Sequence, residues 1–354
     1  MKSTRLFATI AIAASATIGL TACDPPMPPE VQAAVAEMSY TCVDGNIVVS
    51  SPENMYDVVW GWSDGLAYSC VDPEPVMTFE ATTDTTVSAD SEISSYPSTC
   101  SAKQTVPVAV DAGVLVFNLP EVGSLNVSAQ NMAGILSGSI TNWSQLASDN
   151  PGYELPNLPI AVFPEADTIA LKAVVDFLEL SSSASDKELI VEGVPTPNID
   201  QYSLLEYGQV AVVPYSYSVS LGLYPAAIFL ELDEESGEPS VAVPDLEGIQ
   251  SGASQFAITK TDSGISVKVD PRITPSAASG FVAPNPYQAV YPVNYYTCNS
   301  DTLVPRAVGK FILRLDQQGS LGGYNYAPLA ENIRIESLFS ISKGLPTPTP
   351  TPTE

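Results

Sequence analysis

Histidine is absent from all 354 residues. That removes the commonest general base and excludes the Ser-His and Cys-His pairs of nucleophilic hydrolases. Zinc would be left with sulfur and carboxylate ligands alone, and no Cys-x-x-Cys spacing gathers them. Positive charge is nearly as scarce. Thirteen Lys and Arg stand against 40 Asp and Glu, a formal net charge of −27. Such a balance argues against nucleic acid and anionic lipid surfaces as partners. The acidic run "ELDEESGE" (Glu231 to Glu238) lacks the D-x-D-x-D-G spacing of a calcium loop, so it reads as a solvated face. Beyond the N-terminus, no apolar run approaches the ~18 residues needed to span a bilayer. Catalysis, a cofactor and a metal are therefore not expected.

What is present begins with an address. Lys2 and Arg5 precede an apolar stretch from Leu6 to Ile18, and "LTAC" (Leu20 to Cys23) closes it. This is the layout of a secretory leader. The last four residues resemble the bacterial lipobox, which implies a signal peptide over residues 1–22 and lipidation of Cys23. The chain is expected to be exported and held by that lipid at the outer face of the bacterial cell membrane. A Pro-rich spacer (residues 23–40) and a Thr-Pro tail (residues 346–354) bracket the part that should fold. Four cysteines remain there: Cys42, Cys70, Cys100 and Cys298. An even count in an oxidising compartment favours two disulfides, with three possible connectivities.

Between spacer and tail, short apolar runs alternate with helical patterns, the signature of an α/β protein. Strands are expected at Asn46–Ser50, Val76–Thr82, Val106–Asn118, Pro159–Phe163, Gly208–Tyr215 and Ala289–Thr297. Helices are expected at Pro52–Gly65 with Ser51 as cap, and at Ala129–Leu136, Ala170–Leu180 and Arg306–Leu315. In the third, Ala170, Ala173, Val174, Phe177 and Leu178 form one apolar stripe that should pack on a sheet.

Five segments taken in order carry more. "VPVAVDAGVLVFN" precedes "LNVSAQNMAGILSGSITNWSQL"; then come "YGQVAVVPYSYSVSLGLYPAAI" and "AVYPVNYYT", with "GGYNYAPLAENIR" near the end. Together they resemble the phosphate-binding proteins of bacterial ABC phosphate importers, a branch of the type 2 periplasmic-binding-protein fold. The run from Gly138 through Ile140–Trp143 to Leu146 is the most specific motif. The resemblance implies two α/β lobes joined by two hinge crossings, with residues 41–118 and 286–345 in lobe one and 119–285 in lobe two. It also implies a solute held between the lobes and a permease partner. Within that frame Cys42–Cys70 would bracket the first strand-helix unit, and Cys100–Cys298 would join the two strands nearest the hinge.

The family grips phosphate just after the strand matching Pro159–Phe163, with an Arg, an Asp and a Ser-Gly-Thr turn. Here that stretch is "PEADTIALK", Pro164 to Lys172. The Arg falls on Pro164 or Glu165, neither of which donates to an oxyanion. Asp167 and Thr168 remain as candidates, joined from lobe one by Ser50, Ser51, Ser94 and Ser95. Helix capping is the other reading of Ser50, Ser51, Asp167 and Thr168. After Ser94 and Ser95 the chain has Tyr96 where the family has Asp, and the loop is short enough that a lobe-one helix is expected to be missing. Lys172 is the one base near the cradle. Two functions follow: a lipid-tethered solute-binding protein for phosphate or another small solute, or a surface scaffold that kept the fold and lost phosphate. An acidic cleft with Tyr96, Tyr215 and Tyr217 suits a neutral or cationic ligand better than phosphate.

Overall fold

The computed structural model describes residues 42–71, 75–181, 188–194, 199–275, 283–298, 302–343 and 345. The leader, Cys23, the spacer and the Thr-Pro tail lie outside the described residues. Among the described residues no helix is long and apolar enough to cross a membrane.

The chain opens with β1 (Gly45–Ser50), which turns Ile47 and Val49 inward at the strand period of two. A 3₁₀ turn, Glu53–Met55, leads into α1 (Tyr56–Ser69). This helix buries Val58, Val59, Trp62 and Leu66, as its apolar spacing predicts. Its expected cap differs, however. Pro52 holds the cap position of the 3₁₀ turn with no side-chain bond, and Ser51 Oγ is buried without a partner. Next come β2 (Met77–Thr82), β3 (Ser91–Ser94) and the 16-residue β4 (Ala102–Phe117). Among the described residues no helix stands between β2 and β4, in keeping with the shortened loop.

After β5 (Asn126–Ser128), α2 (Ala129–Leu136) occupies the residues its pattern predicts, with Ser128 accepting from the Asn131 N–H as cap. The strand expected at Pro159–Phe163 shrinks to β6 (Ala161–Val162), because Pro159 and Pro164 flank it and cannot donate to a ladder. A second short strand, β7 (Glu165–Asp167), then feeds α3 (Thr168–Leu180). Beyond it lie β8 (Glu192–Val194), α4 (Ile199–Tyr202), β9 (Gln209–Pro214) and α5 (Tyr215–Ser220). The chain continues through β10 (Tyr224–Pro225), β11 (Ala227–Leu232), β12 (Pro239–Ala242) and α6 (Leu246–Ala253). A hairpin of β13 (Phe256–Thr261) and β14 (Gly264–Val269) precedes β15 (Val290–Cys298). The helix expected at Arg306–Leu315 is shifted to α7 (Leu303–Ile312), followed by α8 (Leu315–Ser320) and α9 (Glu331–Ile341).

One mixed sheet of ten strands organises these elements, in the order β13-β14-β4-β15-β3-β1-β2, with β9 and β10 also on β4 and β6 on β9. β4 is its spine. Residues 102–112 pair antiparallel with β15, and from Gly113 to Phe117 the partner becomes β9. The switch falls at Gly113, where a Cβ would lie 2.2 Å from the Ala170 carbonyl oxygen of α3. Only a glycine lets helix and strand approach this closely. The apolar stripe of α3 is buried as expected, with Ala170, Ala173, Val174, Phe177 and Leu178 inward. Burying each large side chain of this kind contributes about 1.5–3 kcal/mol.

Two disulfides, Cys42–Cys70 and Cys100–Cys298, tie α1 to the strand before it and β15 to the start of β4.

Candidate functional site

The cradle at the start of α3 is filled by its own side chain. Asp167 caps the helix, and its Oδ1 accepts the N–H groups of Ile169 at 2.9 Å and Ala170 at 2.8 Å. These are the orphan donors a helix offers to a bound anion. The Asp167 carboxylate stands in for that anion. Its other oxygen accepts the hydroxyl of Tyr96, which reaches across from the turn after β3. Asp167 is 1% exposed, and burial raises its pKa above the usual carboxylate value against the three hydrogen bonds that lower it.

Tyr96 is held in place from several sides. Its N–H donates to Ser94 Oγ at 3.0 Å, and its carbonyl accepts from the Tyr296 hydroxyl at 3.0 Å. Ser94 thus serves the turn. Ser50 Oγ donates to the Ser91 carbonyl at 3.5 Å, tying the end of β1 to β3. Ser51 Oγ and Thr168 Oγ1 are buried with no partner; Thr168 lies against Gly193 of β8. Ser95 is half-buried and lines a cavity beside α3. The Tyr96–Asp167 bond is what joins the β3 turn, with its Ser94 and Ser95, to the start of α3.

A second buried carboxylate, Asp111, is not marked by any motif of the sequence. It lies near the middle of β4 and is 2% exposed. Its Oδ1 accepts from Ala112 N at 2.8 Å and Ser216 N at 3.2 Å, and its Oδ2 takes the Ser216 hydroxyl at 2.7 Å. It therefore links the spine strand to the first turn of α5. Burial pushes its pKa up to about 6, with the Ser216 and Ala112 bonds opposing. The signal in the sequence is a single acid inside the apolar run "VPVAVDAGVLVF".

Tyrosines surround the two carboxylates. Burial first, and the charge of Asp167 or Asp111 second, raises the hydroxyls of Tyr96, Tyr217, Tyr291 and Tyr326 above the ordinary tyrosine value. Tyr202, its ring 5.6 Å from Phe163, is pushed up to about 12, chiefly by burial. Among the described residues neither Asp111 nor Asp167 has an ion-pair partner. Glu165 is exposed and accepts from Gln201 at 3.4 Å. Lys172 points along the helix to Asp176 at 2.6 Å, away from the cradle.

Glu92, Cys100 and Cys298 place three possible metal ligands within 4.8 Å of one another. The two sulfurs are joined in a disulfide, and one Glu92 oxygen accepts from Ser98 Oγ, Thr99 N and Thr99 Oγ1. This cluster is therefore satisfied without an ion.

The motif residues that suggested the fold turn out to be structural. Asn142 caps a short 3₁₀ turn in a capping box, and Trp143 is fully buried with Nε1 donating to the Gly208 carbonyl at 3.2 Å. Ala327 of "NYAPL" bridges to Val110 of β4, and Tyr326 is buried beside Asn54.

Residues 76–218 match the family model described as the PBP superfamily domain. No curated sequence matches the chain. Among solved structures, it is similar to the ancestral soluble variant of the human phosphate binding protein, at 11% identity and TM-score 0.54, covering 82% of this chain and 92% of that one. It is similar also to PfluDING, a high affinity periplasmic phosphate-binding protein solved with phosphate, at 10% identity and TM-score 0.54 over the same shares. A human phosphate binding apolipoprotein follows at 12% identity and TM-score 0.52, covering 81% and 92%. At these identities the likeness is one of fold. Residues 76–218 are similar to the PBP superfamily domain, and over most of its length the chain has the type 2 fold of those solved structures.

Proposed function

We propose that this chain is an exported solute-binding protein, tethered through lipidated Cys23, that serves an ABC permease with a neutral or cationic solute in place of phosphate. Two lobes, residues 41–118 with 286–345 and residues 119–285, would hold that solute between them. One observation carries the reading: the N-terminus of α3 is already occupied by the Asp167 carboxylate, which also holds the Tyr96 hydroxyl. A phosphate entering here would displace a covalently tethered anion and meet it at close range. Like charges about 4 Å apart cost on the order of 1–4 kcal/mol at effective dielectrics between water and a protein surface. Among the described residues no cation pairs with either buried carboxylate, and the tyrosines around them would instead offer aromatic faces and hydroxyls to an ammonium or a polyol.

Calorimetry of the exported chain tests this. Inorganic phosphate at millimolar concentration should give no heat at low or physiological salt, and a saturable heat would overturn the altered-ligand reading. Glu165→Arg combined with Asp167→Gly should restore anion binding, since it supplies a guanidinium and leaves two N–H donors without a side-chain cap. Glu165→Arg alone should not.

The scaffold alternative has an observation of its own. The Tyr96–Asp167 bond closes the candidate site on itself without a ligand. If small neutral and cationic solutes leave the melting temperature unmoved in both the native chain and Tyr96→Phe, the scaffold reading stands and the transport reading falls.

A further inference from the structure

Beside the filled cradle lies a cavity of about 250 Å³, between the outer flank of α3, the β13–β14 hairpin and β15. Its walls are mainly apolar, with Ala173, Phe256, Val267 and Val290 among them. Two lysines line it: Lys172 from α3 and Lys268 from β14. Over the whole chain acids outnumber bases 40 to 13, whereas here two bases face a single acid, Asp176. Lys172 is paired with Asp176 at 2.6 Å, and among the described residues no partner holds Lys268.

We propose that this groove is a second binding site, adjoining the cradle through Ser95 and Ile169, and that its occupant is a small organic carboxylate with an apolar body. Apolar walls favour a hydrocarbon portion, at about 25 cal/mol per Å² of surface removed from water. The unpaired Lys268 ammonium supplies the charge for one carboxylate, and Ser95 offers a hydroxyl from the same lining. Inorganic phosphate is a poor occupant, because its hydration would be lost against hydrocarbon with few donors to replace it. By the ~30 Å³ a water occupies in the liquid, the space takes roughly eight to ten non-hydrogen atoms, the size of octanoate. Asp176 sets the affinity from within, because a bound carboxylate must compete with it for Lys172.

The test is titration calorimetry of the full exported chain with octanoate, octanol and octylammonium. Octanoate should bind and weaken with added salt, octanol should bind about tenfold more weakly, and octylammonium should not bind. Lys268→Glu should weaken octanoate at least about tenfold, and Asp176→Asn should tighten it severalfold. Both positions carry exposed or half-buried side chains, and an unchanged melting temperature verifies that each variant is folded. Ala173→Trp, which fills the groove, should abolish binding. The proposal is overturned if octanoate gives no heat at millimolar concentration, if octanol binds as tightly as octanoate, or if Lys268→Glu leaves affinity unchanged. None of these outcomes bears on the ligand of the cradle, since the charged groups tested do not touch Asp167 or Tyr96.

Discussion

Asp111 shows how one buried acid can write a pH dependence into the whole chain. In the folded state its carboxyl keeps its proton up to about pH 6, while the unfolded chain releases it near 4. Across that window the folded chain binds more protons, so this group's contribution to stability falls as pH rises and is lost above its folded pKa. The gap between those two pKa values corresponds to about 3 kcal/mol. Asn is the neutral isostere of the protonated acid, so Asp111→Asn should match the native chain near pH 4. It should exceed it by roughly 1–3 kcal/mol at pH 7, allowing for relaxation of a buried site. Denaturant melts of both proteins from pH 4 to 7 would check this, and a difference independent of pH would refute it. Tyr96→Phe acts on the other acid. It removes a bond that lowers the Asp167 pKa, so that pKa should climb further, read by NMR titration of the carboxyl carbon. Stability at neutral pH should fall by about 1–3 kcal/mol, the cost of leaving a buried acceptor short of a donor.

At the scale of elements, legibility depended on whether local chemistry or tertiary pairing set the boundary. α2 could be read to the residue because Ser128 caps it and its apolar spacing is helical. β4 begins four residues before its apolar run, since Gln104 and Thr105 pair with Thr297 and Tyr296 of β15 whatever their polarity. The place of the cradle is legible in the sequence, but its contents are not. Sequence presents Asp167 as a candidate ligand group or a cap, and it carries no mark that Tyr96, 71 positions away, donates to the same carboxylate. Asp111 escapes notice for the converse reason: a lone acid in an apolar strand bears no local sign of its partner on α5. Gly113 gives the element scale its own prediction. Ala there would place a methyl 2.2 Å from the Ala170 carbonyl oxygen, and backbone must move to admit it. Gly113→Ala should lower stability by about 1–3 kcal/mol or more, the cost of overpacking. It should do so by shifting the denaturant midpoint with an unchanged slope. Because Asp167 opens the same helix, the Tyr96–Asp167 bond should loosen too, visible as faster exchange of the Ile169 and Ala170 amides.

For the molecule as a whole, the two disulfides are unequal staples. Cys42–Cys70 closes a separation of 28 residues around one strand and one helix. Cys100–Cys298 closes a separation of 198 residues, a span that contains all of β4, α3, α5 and the hairpin. If a bridge acts by restricting the unfolded chain, loop length gives roughly 3.5 kcal/mol for the short loop and roughly 5 for the long one. The folded environment works in the same direction. Cys298 sits at the end of β15, paired with Ala102, while Glu92 gathers the Ser98 and Thr99 groups beside the bridge. With the bridge gone, main-chain pairing and the bond from Gln104 N–H to Thr297 Oγ1 would be left to hold β15 to the start of β4. The double variant Cys100→Ser with Cys298→Ser should therefore lose about 1–2 kcal/mol more than Cys42→Ser with Cys70→Ser, measured by denaturant melts at one pH. If the bridge acts instead through local contacts, the order would depend on what surrounds each sulfur pair. An equal or reversed ranking would then show that loop length does not govern this fold's stability.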